Sequence, residues 1–215
     1  MKTITFYLDF ISPYAYLAFE RLPETLQGIS HEVRYKPILF AGLLKHHGQL
    51  GPAEIPVKRE WIYRQVLWLA NQSALPMDLP ASHPFNPLAL LRLALQCAHP
   101  ELPNRHVVET IFRHVWRGGQ DAIDPARLQA LSATLPAPRS DLQTAKERLS
   151  RLTEEAIADG VFGVPTFKVD DKCFWGVDAL PMLRAYLQGE PWFAADGKWD
   201  QAPRTGVGVQ RNTAR

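Results

Sequence analysis

The apolar positions of the chain change period twice. Residues 3 to 8, TITFYL, form a β-rich apolar run that ends at Asp9. In the next stretch, SPYAYLAFERLPETL, Tyr16, Phe19 and Leu22 recur at helical spacing, with Ser12 as the predicted N-cap and Pro13 at the first helical position. HEVRYK, residues 31 to 36, sets Val33 and Tyr35 against polar neighbours and reads as a second strand. Strand, helix, strand makes a β-α-β unit, and its crossover implies parallel pairing.

The pattern then turns helical for about a hundred residues. VKREWIYRQVLWLANQ carries Trp61, Ile62, Val66 and Leu69 in one stripe, and NPLALLRLALQCA opens with Asn86 as a cap and Pro87 next to it. NRHVVETIFRHVWRGG stops on Gly118-Gly119, DPARLQALSATL starts at Asp124-Pro125, and residues 140 to 159 read as a long charged helix ending at Gly160. After that the period returns to two. Thr166 to Val169 and Lys172 to Trp175 are predicted strands of an antiparallel hairpin turning at Asp170-Asp171, and DALPMLRAYLQG closes with a helix. The tail from Asp196, rich in glycine and charge, is expected to fray.

Merging the two ends gives one mixed sheet flanked by helices. The expected fold is α/β: a thioredoxin-like domain, residues 1–40 plus 160–190, carrying a large inserted helical subdomain, 41–159, and followed by a tail, 191–215.

An apolar fraction of 46% over 215 residues suits a packed globular protein, and a formal charge of +2 with no long basic block argues against nucleic acid or an anionic membrane as partner. No apolar stretch approaches the about 18 residues of a membrane span, and a cytoplasmic protein is expected. The two cysteines, Cys97 and Cys173, lie far apart and form no Cys-x-x-Cys, so neither a dithiol nor a metal knuckle is expected. Cys97, in an apolar run, reads as a buried hydrophobe. The seven histidines show no zinc spacing; His46-His47, before Gly48, are placed in a solvated loop. No metal is predicted.

Candidate chemistry concentrates where the first strand meets the first helix. A helix N-terminus offers unpaired N–H groups and partial positive charge, so an anion is stabilised there. In redox thioredoxin-like proteins that anion is the first thiolate of Cys-x-x-Cys. Here the window reads Ser12-Pro13-Tyr14-Ala15, which rules out intrinsic dithiol exchange. Ser12 alone could be a plain cap. A second segment, GVFGVPTF at 160–167, places Val164-Pro165 just before a strand, where thioredoxin-like folds set a cis proline facing the active helix. Ser12 and Val164-Pro165 would then frame one site.

With these segments in view, FYLDFISPYAYLA, FGVPTF and FWGVDAL resemble the 2-hydroxychromene-2-carboxylate isomerases of the DsbA-like, kappa-class glutathione transferase group, over most of residues 3 to 187. The resemblance implies glutathione as bound cofactor, a small aromatic substrate and a homodimer. It assigns Ser12 to the glutathione sulfur, Val164 before Pro165 to backbone pairing with the cysteinyl part, and Asp178 to the γ-glutamyl ammonium; Gln49 and Lys58 match more loosely. Val177 and Ala179 stand where members carry a polar residue and an arginine, and Gln65 and Trp68 also depart from the pattern. Beside Lys58, the aromatic residues Trp61, Trp68 and Phe85 are candidates for the substrate pocket, with plain core as the alternative. The implied reaction is isomerisation through transient addition of the glutathione thiolate. Conjugation of an electrophile, as in a kappa-type transferase, and non-redox binding of thiols or peptides are the alternatives.

Overall fold

The computed structural model of the chain describes residues 1–194 and 197–202. Four strands, β1 (Lys2–Leu8), β2 (His31–Pro37), β3 (Thr166–Val169) and β4 (Lys172–Trp175), form one sheet in the order β2-β1-β3-β4. β1 pairs parallel with β2, Ile4 opposite Val33 and Phe6 opposite Tyr35, and antiparallel with β3, Phe6 opposite Phe167. A central strand covered on both faces needs apolar side chains at successive positions. Accordingly Ile4, Phe6, Tyr7 and Leu8 are all buried, and the Phe6 and Phe167 rings stack with centroids 4.6 Å apart.

α1 (Pro13–Thr25) crosses from β1 to β2, burying Tyr16, Phe19 and Leu22 as its spacing predicts. Between β2 and β3 run α2 (Phe40–His46), α3 (Pro56–Gln72), α4 (Leu88–Gln96), α5 (Arg105–Trp116), α6 (Pro125–Thr134) and α7 (Leu142–Ala158). Three of these start on side-chain caps. Asn104, Asp124 and Asp141 accept from the N–H of Val107, Arg127 and Thr144. α4 begins one residue later than expected: Pro87 occupies the cap position, and Asn86 accepts from Leu88 N–H instead. After the β3–β4 hairpin come α8 (Leu180–Leu187) and the short α9 (Lys198–Gln201).

Two expectations need correcting. His46 and His47 are exposed to solvent as expected, but they do not sit in an open loop. His46 ends α2 and His47 is its C-cap, a helix too short and too poorly capped for its period to stand out. The tail does not fray from Asp196 throughout. Trp199 on α9 packs its ring 5.4 Å from Phe174 of β4 and 5.6 Å from Phe193, so aromatic burial orders a segment whose composition reads as loose. The remainder of the tail, from 203 on, lies outside the described residues. Among the described residues no helix is long and apolar enough to cross a membrane.

Candidate active site at the first helix

A cavity of about 980 Å3 opens at the amino end of α1, walled by α2, residues 49–55, the start of α3, residues 83–88, the segment 162–164 and Trp175. Its floor is the β1–α1 turn. Asp9 ends the apolar strand and turns inward, fully buried, with its carboxylate accepting from the N–H of Ile11 at 3.2 Å and of Phe40 at 2.9 Å. Among the described residues it has no cationic partner, and loss of hydration, only partly offset by these amides, raises its pKa to about 7. Burial thus makes this carboxyl hold its proton to a higher pH than an exposed aspartate does.

Ser12, 7% exposed, caps α1 and faces the cavity. Its Oγ accepts from Ala15 N–H at 3.2 Å and donates to the Val164 carbonyl at 3.4 Å. That second bond joins the start of α1 to the segment before β3, two regions that are remote in sequence. The Val164-Pro165 peptide is cis. The Val164 N–H has no hydrogen-bond partner among the described residues. The cavity thus presents a hydroxyl, the N-terminus of a thirteen-residue helix with no acidic side chain in its first turn, and an open backbone amide. Such a set suits an anion alongside an extended peptide-like ligand.

Gln49, Lys58 and Phe85 also line the cavity, and the Lys58 ammonium makes no ion pair or hydrogen bond among the described residues. Pro165 lies buried behind Val164, outside the lining. Asp178 is exposed, in the 3₁₀ turn Val177–Ala179 beside the cavity; burial first, and then the Asp178 charge, raise the pKa of Tyr14, which lines the wall. The turn needs Gly176: its φ is +99°, and a Cβ there would approach the Asp178 Oδ1 to 2.3 Å.

Trp61 does not belong to this pocket. It is 61% exposed and Trp68 59%, and neither lines the cavity. α3 packs through Ile62, Val66 and Ala70, and one residue back along the helix is a rotation of about 100°, which turns Trp61 to solvent. Of the three aromatic candidates only Phe85 lines the cavity, and its apolar wall is completed by Ile62, Leu39, Phe40 and Leu44, with Phe162 and Trp175 at the mouth.

Sequence reasoning also missed Asp9 and His83 as site residues; both line the cavity. Asp9 carried a signal, a charged residue at the end of a fully apolar strand. His83, in an irregular segment, carried none. Among the described residues no group of three or more His, Cys, Asp or Glu side chains is placed to hold a metal ion. Cys97 and Cys173 are free thiols, and burial raises the pKa of both.

Fold and site together define a thioredoxin-like protein in which a serine hydroxyl stands where redox members carry a reactive cysteine. The DSBA-like thioredoxin domain model matches residues 3–188, and the chain belongs to that family. It is 31% identical to the 2-hydroxychromene-2-carboxylate isomerase of Pseudomonas putida, over 86% of this chain and 93% of the relative. It is 26% identical to glutathione S-transferase kappa 2 of Caenorhabditis elegans, over 89% of this chain and 93% of the relative. Among solved structures it resembles a selenomethionine 2-hydroxychromene-2-carboxylate isomerase, with a TM-score of 0.74 and 27% identity over 86% of this chain and 94% of that one.

Proposed function

We propose that the protein is a glutathione-dependent isomerase acting on aromatic catabolites of the 2-hydroxychromene-2-carboxylate type. The observation that carries this reading is the Ser12 hydroxyl at the amino end of α1, bonded across to the carbonyl of Val164 before a cis proline, with no cysteine in the cavity lining. A site that stabilises a sulfur anion without owning a sulfur needs a thiol brought by a ligand.

The residues present fit glutathione. The open N–H of Val164, with its carbonyl beside it, matches a peptide amide in extended conformation. Asp178, exposed and without an ion-pair partner among the described residues, suits an ammonium; Lys58 and Gln49, in the cavity lining, suit a carboxylate. Bound there, glutathione would supply a thiolate that adds to a conjugated carbon of the substrate, frees the neighbouring bond to rotate and leaves unchanged.

The chain's own part is to bind, orient and hold charge. With glutathione bound, Ser12 would turn its hydroxyl proton from the Val164 carbonyl, 3.4 Å away, towards the sulfur, and the α1 terminus would favour the anion, lowering the thiol pKa. Ser12 is a donor, not a nucleophile: its hydroxyl has no side-chain base as a hydrogen-bond partner among the described residues. The apolar wall of Leu39, Phe40, Ile62 and Phe85 receives the aromatic body and excludes water from the reacting bond.

The test is turnover of a chromene carboxylate with glutathione present below the substrate concentration. Many product molecules per glutathione are expected, with the glutathione recovered. A rate that does not depend on glutathione overturns the reading. The likeness to kappa-class transferases favours conjugation as the second reading, and one glutathione consumed per product would select it.

A further inference from the structure

The β1–α1 turn that carries Ser12 is held from outside the sheet by two aromatic side chains of the helical region. Trp116, the last residue of α5, donates from its indole Nε1 to the Phe10 carbonyl at 3.0 Å. The His83 Nε2 lies 2.8 Å from the Ile11 carbonyl. A carbonyl accepts only, so Nε2 carries the proton. Nδ1 is then an acceptor, and the Tyr63 hydroxyl, which donates to the carbonyl of His83 itself at 2.8 Å, lies 2.9 Å from Nδ1 and shares its single proton between the two. The His83 and Trp116 rings are in contact, centroids 5.5 Å apart, and Phe85 closes the other side at 6.0 Å.

The opposite ends of the same peptides are also tied. Ile11 N–H donates to the Asp9 carboxylate, and Ser12 N–H donates to the Asp9 carbonyl at 3.1 Å. The Phe10–Ile11 and Ile11–Ser12 peptide planes are therefore each fixed at both their N–H and their C=O.

We propose that His83 is a positioning residue for Ser12: through the Ile11 carbonyl it sets the plane of the Ile11–Ser12 peptide, and with it the aim of the Ser12 hydroxyl into the cavity. Both ring nitrogens are engaged, so His83 is not available as a general base despite facing the cavity. The groups around it keep the ring neutral. Burial lowers its pKa and the Arg59 charge lowers it further, against the opposing pull of the Ile11 carbonyl. A neutral ring bonded at both nitrogens has one tautomer and one orientation, which is what a fixed donor requires.

This inference rests on Ser12 being the group that meets the thiol, and the experiment separates the two. His83→Phe keeps the ring's bulk and removes the donor; His83→Gln restores an N–H at similar reach. In His83→Phe, kcat is expected to fall on the order of a hundredfold, as for a reacting group misplaced by about an ångström, with a much smaller change in KM. His83→Gln should recover most of that loss. Hydrogen exchange of the Ser12 amide should quicken in His83→Phe and not in His83→Gln, with or without glutathione. Nitrogen chemical shifts of His83 in the unaltered protein should report the Nε2–H tautomer. The Nδ1–H tautomer, an unchanged kcat in His83→Phe, or failure of His83→Gln to recover activity overturns the proposal. Should the unaltered protein show no glutathione dependence, the functional reading falls, and the tautomer and the Ser12 exchange still decide whether His83 holds the turn.

Discussion

The Ser12 oxygen serves two structural partners at once, accepting from Ala15 and donating to Val164, and only the second of these is weak enough to exchange for a ligand. Ser12→Ala separates the roles. Loss of the cap should destabilise the protein by about 0.5–2 kcal/mol, measured by denaturant unfolding. Glutathione-dependent turnover should fall by roughly a hundredfold or more, the usual consequence of removing one donor from a developing or stabilised anion. A variant that is equally destabilised but nearly fully active would reduce Ser12 to a cap. At this scale the capping role of the serine was legible because local signals converge on it, an apolar strand, a cap-type residue and a proline in sequence, whereas its pairing with Val164 was suggested only by a second, remote segment. His83 was not legible, because its partner is a backbone carbonyl seventy-two positions away and no local pattern encodes that contact.

At the level of elements, the strands and the long helices were readable because their periods are sustained, whereas the rotational setting of α3 was not. Trp61 and Ile62 are neighbours in sequence and equally apolar, and only packing decides which one faces inward. Two substitutions make the difference measurable. Trp61→Ala, at a solvent-facing position away from the cavity, should change stability by no more than about 0.5 kcal/mol and leave kcat/KM within about twofold. Ile62→Ala, on the buried face and in the cavity wall, should lose about 2–5 kcal/mol of stability. Equal effects of the two on unfolding would mean that α3 is rotated from the setting described.

The segment before β3 carries a second constraint of this kind. A Cβ on Gly163 would come within 2.5 Å of the Trp175 Nε1, while Trp175 packs at a tilt against Phe162 with centroids 4.9 Å apart at the cavity mouth. The indole is more than half exposed and can swing outward, so Gly163→Ala should cost only the aromatic pair, about 0.5–1.5 kcal/mol. The mouth should nevertheless change shape, raising KM for the aromatic substrate while kcat stays near its original value. A crystal structure of the variant with Trp175 unmoved, together with an unchanged KM, would contradict this account.

For the molecule as a whole, the middle of the chain does more than cover the sheet. The sequence already suggested that the helical insertion lends Gln49, Lys58, Trp61 and Phe85 to the site; beyond that, Asp9 joins β1 to the first amide of α2, and Trp116 and His83 hold the turn before α1. Sheet and helices thus share one set of buried polar contacts, and titration of Asp9 should be felt in global stability. The sign follows from the direction of its shift. Folding raises the Asp9 pKa from the ordinary value of about 4 to about 7, so the native state binds this proton more tightly than the unfolded chain does. Its favourable contribution is complete below about pH 4, declines as the pH rises towards 7 and is absent above that. Asp9→Asn cannot titrate, and it leaves either Ile11 or Phe40 N–H without its acceptor, a pH-independent loss of about 1–3 kcal/mol. The measurement is therefore the slope of unfolding free energy against pH, not its level. Between pH 5 and 7 the parent should lose stability relative to Asp9→Asn by an amount on the order of a few kcal/mol, and above pH 8 the two curves should run parallel. Parallel curves across the whole range would mean that the Asp9 carboxylate is ionised throughout, held by its amides more strongly than burial opposes it.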